Sequence, residues 1–186
     1  MELATGERIL VAAAEMTAEV GWSGVTMSAL AARVGVSRQT VYNEWGSRDR
    51  LAEAMVLREL GAFLDEVDAG FDAHPTDLEA GAVEAIGRVL ALAETNPLLR
   101  SIITATHGAE TELVPLLTTR ADVVIAVASD RVRERLAAYP GVRAADLEVT
   151  VDLVVRTVLS HVMQPSARVE TVPASLARAV RRLLVD

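Results

Sequence analysis

The amino-acid sequence predicts an all-α protein, and three observations lead to that class. Apolar residues recur at spacings of three and four along most of the 186 residues, as they do on one face of a helix. Glycines and prolines separate these segments, as they do at helix boundaries. No segment alternates apolar and polar residues over the length of a strand. Hydrophobic residues make up 51% of the chain and charged residues 24%, so a disordered protein is excluded.

The first predicted helices are bounded by residues that start or stop helices. The first helix carries apolar residues at i, i+3, i+4 and i+7 and ends at Gly21. Thr26 caps the second helix, and Gly35 follows it, where a left-handed residue commonly ends a helix. Ser37 caps the third helix, and a longer fourth helix begins near Arg48. The N-terminal part therefore consists of three short helices and the start of a long one.

Prolines divide the rest of the chain into further helices. The predicted ranges are 77–95, 98–106, 112–139, 145–163 and 174–185. The valine-rich stretch 148–162 has high strand propensity, but polar residues recur in it at every fourth position, which favours a helix. We therefore expect a helical bundle after the first three helices.

Composition excludes several classes of protein. The chain has no cysteine and three histidines, so disulfides and thiolate sites are excluded and no metal or other cofactor is expected. It also lacks a nucleophile elbow, a phosphate-binding glycine loop and a paired-histidine motif, so we expect no catalytic residues and no enzyme. No uncharged stretch reaches the roughly 18 residues of a membrane span, and the N-terminal segment is too charged for a signal peptide. These features predict a cytoplasmic protein without a membrane partner.

The net charge of −8 is unevenly distributed along the chain. Residues 22–50 contain four arginines against two acidic residues, whereas most of the acidic excess lies downstream. This window can therefore meet an anionic partner although the protein as a whole is acidic.

The window contains two short helices joined by a turn with a glycine, which is the plan of a helix-turn-helix. Four polar side chains share the outer face of its second helix: Arg38, Gln39, Tyr42 and Asn43. Arginine pairs with guanine, glutamine or asparagine pairs with adenine, and a hydroxyl donates to phosphate, so these residue types suit duplex DNA. The same spacing also occurs where two short helices merely pack together. We divide the chain into a helix-turn-helix domain, 1–48, and a helical domain, 49–186.

The segment ERILVAAAEMTAEVGWSGVTMSALAARVGVSRQTVYNEWGSRDRLAEA, Glu7 to Ala54, resembles the N-terminal domain of the TetR/AcrR family of bacterial transcription regulators. The match is collinear over three helices and the start of a fourth. The resemblance implies a ligand-responsive repressor that binds a palindromic double-stranded DNA operator as a homodimer and is released by a small molecule. The alternative is a DNA-binding regulator without a small-molecule effector.

The resemblance also implies which residues contact DNA. They are Thr26, Ser28, Ser37, Arg38, Gln39, Thr40, Tyr42, Asn43 and Arg48. Three residues depart from the family pattern: Thr17 replaces a core phenylalanine, Glu44 a common histidine, and Gly46 a frequent lysine. A carboxylate at position 44 would repel phosphate if it faced DNA, so a modest and salt-sensitive affinity is expected.

The C-terminal domain carries no comparable motif, so its prediction rests on composition. Its long helices are rich in Ala, Val and Leu, and aromatic residues are only 3% of the chain. An apolar pocket between helices would therefore suit an aliphatic ligand such as a fatty acid, an acyl thioester or another lipid-like molecule. The candidate pocket residues are Met55, Phe63, Ile103, His107, Leu117 and His161. The alternative is that these side chains only fill the core.

A dimer interface is predicted on the last two helices. The last helix carries an apolar stripe, and the helix before it is apolar over more of its circumference than one bundle core requires. The candidate interface residues are Val155, Leu159, Val162, Leu176, Val180, Leu183 and Leu184.

Overall fold

The computed structural model describes residues 3–104, 113, 121–165 and 169–185. In these ranges all regular structure is helical, which confirms the predicted all-α class. The α-helices are α1 (Thr5–Val20), α2 (Met27–Val34), α3 (Arg38–Trp45), α4 (Arg48–Asp72), α5 (Leu78–Thr95), α6 (Pro97–Thr104), α7 (Asp122–Ala137), α8 (Ala144–Met163) and α9 (Val172–Leu184). Short 3₁₀ turns occupy Trp22–Gly24 and Val169–Thr171. Among the helices in these ranges, none combines the length and apolarity that crossing a membrane demands.

The helix ends of the N-terminal part follow the predicted caps. The Thr26 hydroxyl accepts a hydrogen bond from the Ala29 amide at 3.1 Å, and the Ser37 hydroxyl accepts one from the Thr40 amide at 3.0 Å. Gly35 ends α2 in the left-handed conformation, with φ 75° and ψ 35°. Since only glycine adopts this conformation without strain, the turn between α2 and α3 depends on it.

The described chain forms two compact units. The first, which we call the head, comprises Met1–Glu59 and Asn96–Ala121, and the second, the body, comprises Leu60–Thr95 and Asp122–Asp186. The head therefore extends past the predicted boundary between 48 and 49. The physical reason is that Leu51 and Met55 of α4 and Leu98 of α6 are buried in the same apolar core as α1, α2 and α3.

The core of the head includes one buried polar residue, Thr17. Its side chain is only 1% exposed, and its hydroxyl donates to the Ala13 carbonyl at 2.7 Å and lies 3.7 Å from Met55 Sδ. Because the hydroxyl is satisfied inside its own helix, the residue costs little where the family pattern has a phenylalanine.

The body is built on two helix pairs, α5 with α9 and α7 with α8. The end of α4 packs on α5 through Gly70, which is buried against the backbone of Ala85. The Tyr139 hydroxyl donates to the His74 carbonyl at 2.7 Å, and its ring centroid is 6.0 Å from that of Phe71. Burial raises the pKa of Tyr139 above its ordinary value.

The structure corrects most of the predicted dimer interface. Five of its seven residues have 9% exposure or less within the single chain, so they have little surface left for a partner: Val155, Val162, Leu176, Val180 and Leu184. The apolar stripe of α9 is covered because α9 packs on α5 and α8. Of the other two residues, Leu159 is half-buried and Leu183 is 38% exposed.

Candidate nucleic-acid interface

Helix α3 is anchored by one face and presents the other to solvent. Val41 is 0% exposed and packs in the core of the head. Arg38, Gln39 and Asn43 are exposed, and Tyr42 is half-buried beside the same core. The four polar residues predicted to face outward therefore lie at or near the surface on one short, buried-backed helix.

These four side chains are held in two pairs, each one turn apart. The Gln39 side-chain amide donates to Asn43 Oδ1 at 2.8 Å. The Arg38 guanidinium donates to the Tyr42 hydroxyl at 3.3 Å and lies 5.3 Å from the centroid of that ring. Neighbours at i and i+4 on a helix restrict each other's rotamers, so less side-chain entropy remains to be lost when the face binds.

Hydroxyl groups lie at the starts of α2 and α3. Thr26 and Ser28 are exposed at the N-terminus of α2, and Ser37 is exposed at the N-terminus of α3, with its Oγ 2.8 Å from Thr40 Oγ1. Helix N-termini attract phosphate through their free amides and the helix dipole, so neutral hydroxyl side chains are suited to these positions.

Arg48 has an environment that the sequence did not predict. Its Nε donates to the Val25 carbonyl at 3.0 Å, its Nη2 donates to the Trp22 carbonyl, and its guanidinium lies 4.6 Å from the centroid of the Trp22 ring. The side chain is half-buried and is bound to the segment that precedes α2. Its geometry therefore favours an internal role over the predicted phosphate contact.

Other arginines of the head are engaged with acidic groups. Arg33 makes two hydrogen bonds to the Glu19 carboxylate, at 2.7 and 3.1 Å, and these bonds lower the pKa of Glu19. Arg58 binds Glu7 at 2.6 Å. These side chains contribute little net positive charge to the surface, so the count of four arginines in residues 22–50 overstates the charge that faces a partner.

Arg50 is a candidate that the sequence analysis missed. It is exposed in the first turn of α4 and makes no ion pair with any described residue. Ser47 precedes this helix, and its hydroxyl accepts from the Arg50 amide at 3.2 Å. A serine followed by an arginine three residues later is the pattern that could have identified this helix start as a further cationic N-terminus.

Glu44 is directed toward α1. Its Oε2 lies 3.0 Å from the position that a Cβ on Gly6 would occupy, beside the first turn of α1. That is the positive end of the α1 dipole, which is favourable for a carboxylate. The repulsion expected from Glu44 is therefore reduced, and Gly6 provides the space for this orientation.

The predicted ligand pocket is only partly described. His107 and Leu117 lie outside the described residues. Met55 is 0% exposed in the core of the head, so it is a packing residue and does not line a cavity open to solvent. Three half-buried residues remain as candidates: Ile103 in the head, and Phe63 and His161 in the body.

Comparison with known proteins agrees with this geometry. A family model for bacterial regulatory proteins of the tetR family matches residues 9–55, and a model for the C-terminal domain of the bacterial tetracyclin repressor matches residues 77–182. The chain belongs to the TetR family. It is a helix-turn-helix, DNA-binding transcriptional regulator.

Individual TetR relatives match over most of the chain. The HTH-type transcriptional regulator AlkX of Mycobacterium tuberculosis is 32% identical over 160 residues, covering 86% of this chain and 75% of the relative. The TetR family repressor AlkX from Dietzia sp. strain DQ12-45-1b, implicated in biodegradation of n-alkanes, superposes with a TM-score of 0.79 at 24% identity over 98% of each chain. The fatty acid degradation regulator FadR from Bacillus halodurans has a TM-score of 0.62 at 17% identity, covering 97% of this chain and 96% of that one. These two structures share the fold.

Proposed function

We propose that this TetR-family regulator is a repressor that binds a palindromic operator as a homodimer and releases it when a small aliphatic molecule binds. The observation that carries the DNA part of the proposal is the paired polar face of α3. Its backing residue Val41 is 0% exposed, whereas Arg38, Gln39 and Asn43 are exposed. The proposed site of action is the cytoplasm, where bacterial operators lie.

The residues of the interface take different parts. Arg38, Gln39 and Asn43 have the donor and acceptor patterns that read guanine and adenine edges in the major groove. The hydroxyl groups contact phosphates and fix the register of α3 along the duplex: Thr26, Ser28, Ser37, Thr40 and Tyr42. Arg50 supplies a cationic phosphate contact at the start of α4, which the sequence analysis assigned to Arg48.

The operator can be found by selecting bound sequences from a pool of random duplexes with the purified protein at low salt. A two-fold homodimer predicts an inverted repeat, with half-site centres one helical turn or a small multiple apart, about 34–36 Å per turn. Hydroxyl-radical footprinting of the selected duplex should protect two patches related by the same two-fold axis. A selected site without internal symmetry would contradict the homodimer part of the proposal.

A different apolar surface supports the homodimer. Val149 and Leu153 lie one turn apart on α8 and are 71% and 44% exposed. Leu183, 38% exposed, lies at the end of α9, where its carbonyl accepts from Arg143 just before α8 at 2.6 Å. Exposed apolar side chains concentrated on two adjacent helices are typical of a protein–protein contact, so we assign the partner-facing surface to this side of α8 and α9.

Leu153→Glu tests that surface. A charge placed in a buried contact is costly, so the variant should be monomeric by light scattering while its helical content stays unchanged. Val127→Glu is a matched control, because Val127 is 40% exposed but lies on α7, and it should remain dimeric. A dimeric Leu153→Glu protein would show that the two-fold contact lies elsewhere.

Sparse aromatic content and the relatives support an aliphatic effector. Aromatic residues are 3% of the chain, which disfavours the stacking of planar ligands. One structural neighbour is implicated in n-alkane biodegradation and another regulates fatty acid degradation. Binding of such a ligand would favour one spacing of the two recognition helices and so shift the population away from the operator-binding form.

The effector is tested by titrating palmitate, palmitoyl-coenzyme A and hexadecane into the preformed complex with the operator. Release by a compound that also binds the free protein supports the ligand-responsive repressor. A complex indifferent to every compound that measurably binds the protein would favour the alternative, a regulator without a small-molecule effector.

A further inference from the structure

Arg48 connects two parts of the head that are distant in sequence. It is the first residue of α4, and its side chain reaches the connector between α1 and α2, across 23 and 26 residues. Both ends of that connector accept from it, since its donors meet the Val25 carbonyl at 3.0 Å and the Trp22 carbonyl. The next residue, Thr26, is the N-cap of α2. Arg48 therefore acts on the backbone that immediately precedes the predicted phosphate contacts of α2.

We propose that Arg48 is a positioning residue of the DNA interface. It holds residues 22–25 in the conformation that presents Thr26 and Ser28 to a phosphate, and it does not itself contact DNA. This inference rests on the proposed DNA interface. It replaces the phosphate contact at Arg48 with an indirect role.

Three features of the site favour positioning over direct contact. The connector is fixed by its side chains, since Trp22 is 3% and Val25 0% exposed. Its 3₁₀ turn is closed by a hydrogen bond from the Val25 amide to the Trp22 carbonyl at 3.0 Å. The guanidinium also lies 4.6 Å from the centroid of the Trp22 ring. Turning the Arg48 guanidinium toward a phosphate would break two charge-assisted hydrogen bonds and the contact with the ring.

Arg50 offers a cation that is better placed for direct contact. It lies two residues after Arg48, is exposed, and makes no ion pair with any described residue. The two arginines therefore predict different signatures. Loss of a charged phosphate contact lowers the slope of log K against log salt by about one, whereas loss of positioning weakens binding without that change.

The experiment compares Arg48→Lys, Arg48→Ala and Arg50→Ala with Arg33→Ala as a matched control, because Arg33 is bound to Glu19. Affinity for the selected operator is measured by fluorescence anisotropy from 50 to 300 mM KCl, at a temperature where circular dichroism shows every variant folded. Lysine keeps the charge but lacks the two-pronged donor geometry. Arg48→Lys should therefore bind at least about tenfold more weakly with an unchanged slope, Arg50→Ala should lose about one unit of slope, and Arg33→Ala should match the wild type.

A spectroscopic readout separates positioning from a general structural effect. In a Trp45→Phe background, Trp22 is the sole tryptophan of the chain, which has two. Its emission and the amide shifts of residues 25–29 should change in Arg48→Lys and stay unchanged in Arg50→Ala. If lysine restores full operator affinity, or if Arg48→Ala loses one unit of slope with Trp22 emission unchanged, Arg48 is a direct phosphate ligand and the inference is wrong. If the wild type binds no duplex at all, the proposed DNA interface itself fails, whatever Arg48 does.

Discussion

The packing of α4 on α5 gives a sharp prediction about a single methyl group. A Cβ on Gly70 would lie 2.4 Å from both the amide nitrogen and the Cα of Ala85, whereas non-bonded carbon atoms approach to about 3.5–4.0 Å. Gly70→Ala therefore forces two helices apart by about 1 Å or more against rigid backbone. Overpacking of this severity costs about 3 kcal/mol, and the better helix propensity of alanine returns about 1 kcal/mol. The net expectation is a loss of about 2 kcal/mol in the free energy of unfolding.

Two other glycines provide matched controls on the same helices. A methyl group on Gly61 of α4 or on Gly87 of α5 would have no described atom within 4 Å, so alanine at either should stabilise the protein by about 0.5–1 kcal/mol. Urea unfolding of the three variants, followed by circular dichroism at 222 nm, measures the differences. If Gly70→Ala is as stable as Gly87→Ala, then α4 and α5 do not cross where the structure has them and the reasoning is refuted.

Two further predictions concern Trp45 and Glu148. The Trp45 indole nitrogen is buried without a hydrogen-bond partner in the described part of the chain, so Trp45→Phe removes an unsatisfied donor and should change the free energy of unfolding by less than about 1 kcal/mol. A loss of about 3 kcal/mol, as for a truncated aromatic residue, would contradict it. Arg133 donates to both carboxylate oxygens of Glu148 and lowers the pKa of that carboxyl below its ordinary value. The stabilisation is therefore present above the ordinary pKa and is lost as the pH falls through the lowered one. The wild type should melt above Glu148→Gln at pH 7, and a difference that does not shrink at strongly acidic pH would oppose this assignment.

The local features of the fold could be predicted because they depend on residues close in sequence. The caps at Thr26 and Ser37 and the left-handed Gly35 each involve partners within four residues. Periodicity gave the all-α class for the same reason. An apolar stripe, by contrast, does not identify what covers it. The stripe of α9 was assigned to a second copy of the chain, but α5 and α8 of the same chain cover it.

The outer face of α3 was also predictable, since a buried Val41 fixes which side chains of a short helix point outward. Arg48 was not, because its role depends on carbonyls 23 and 26 residues away. Sequence spacing placed it at a helix start but gave no sign of its distant partners. For the same reason Arg50 was missed and the direction of Glu44 was unknown, since both depend on which neighbours occupy each arginine and on the space beside Gly6.

The central claim is that the exposed face of α3 reads base edges. Its most direct test is the dissociation constant of Arg38→Ala and Gln39→Ala for the selected operator and for a scrambled duplex, with Arg33→Ala as the control. The account predicts that each α3 variant loses about 1–3 kcal/mol on the operator and much less on the scrambled duplex, while Arg33→Ala stays within about 0.5 kcal/mol of the wild type. Unchanged operator affinity in both α3 variants would mean that this face does not read DNA.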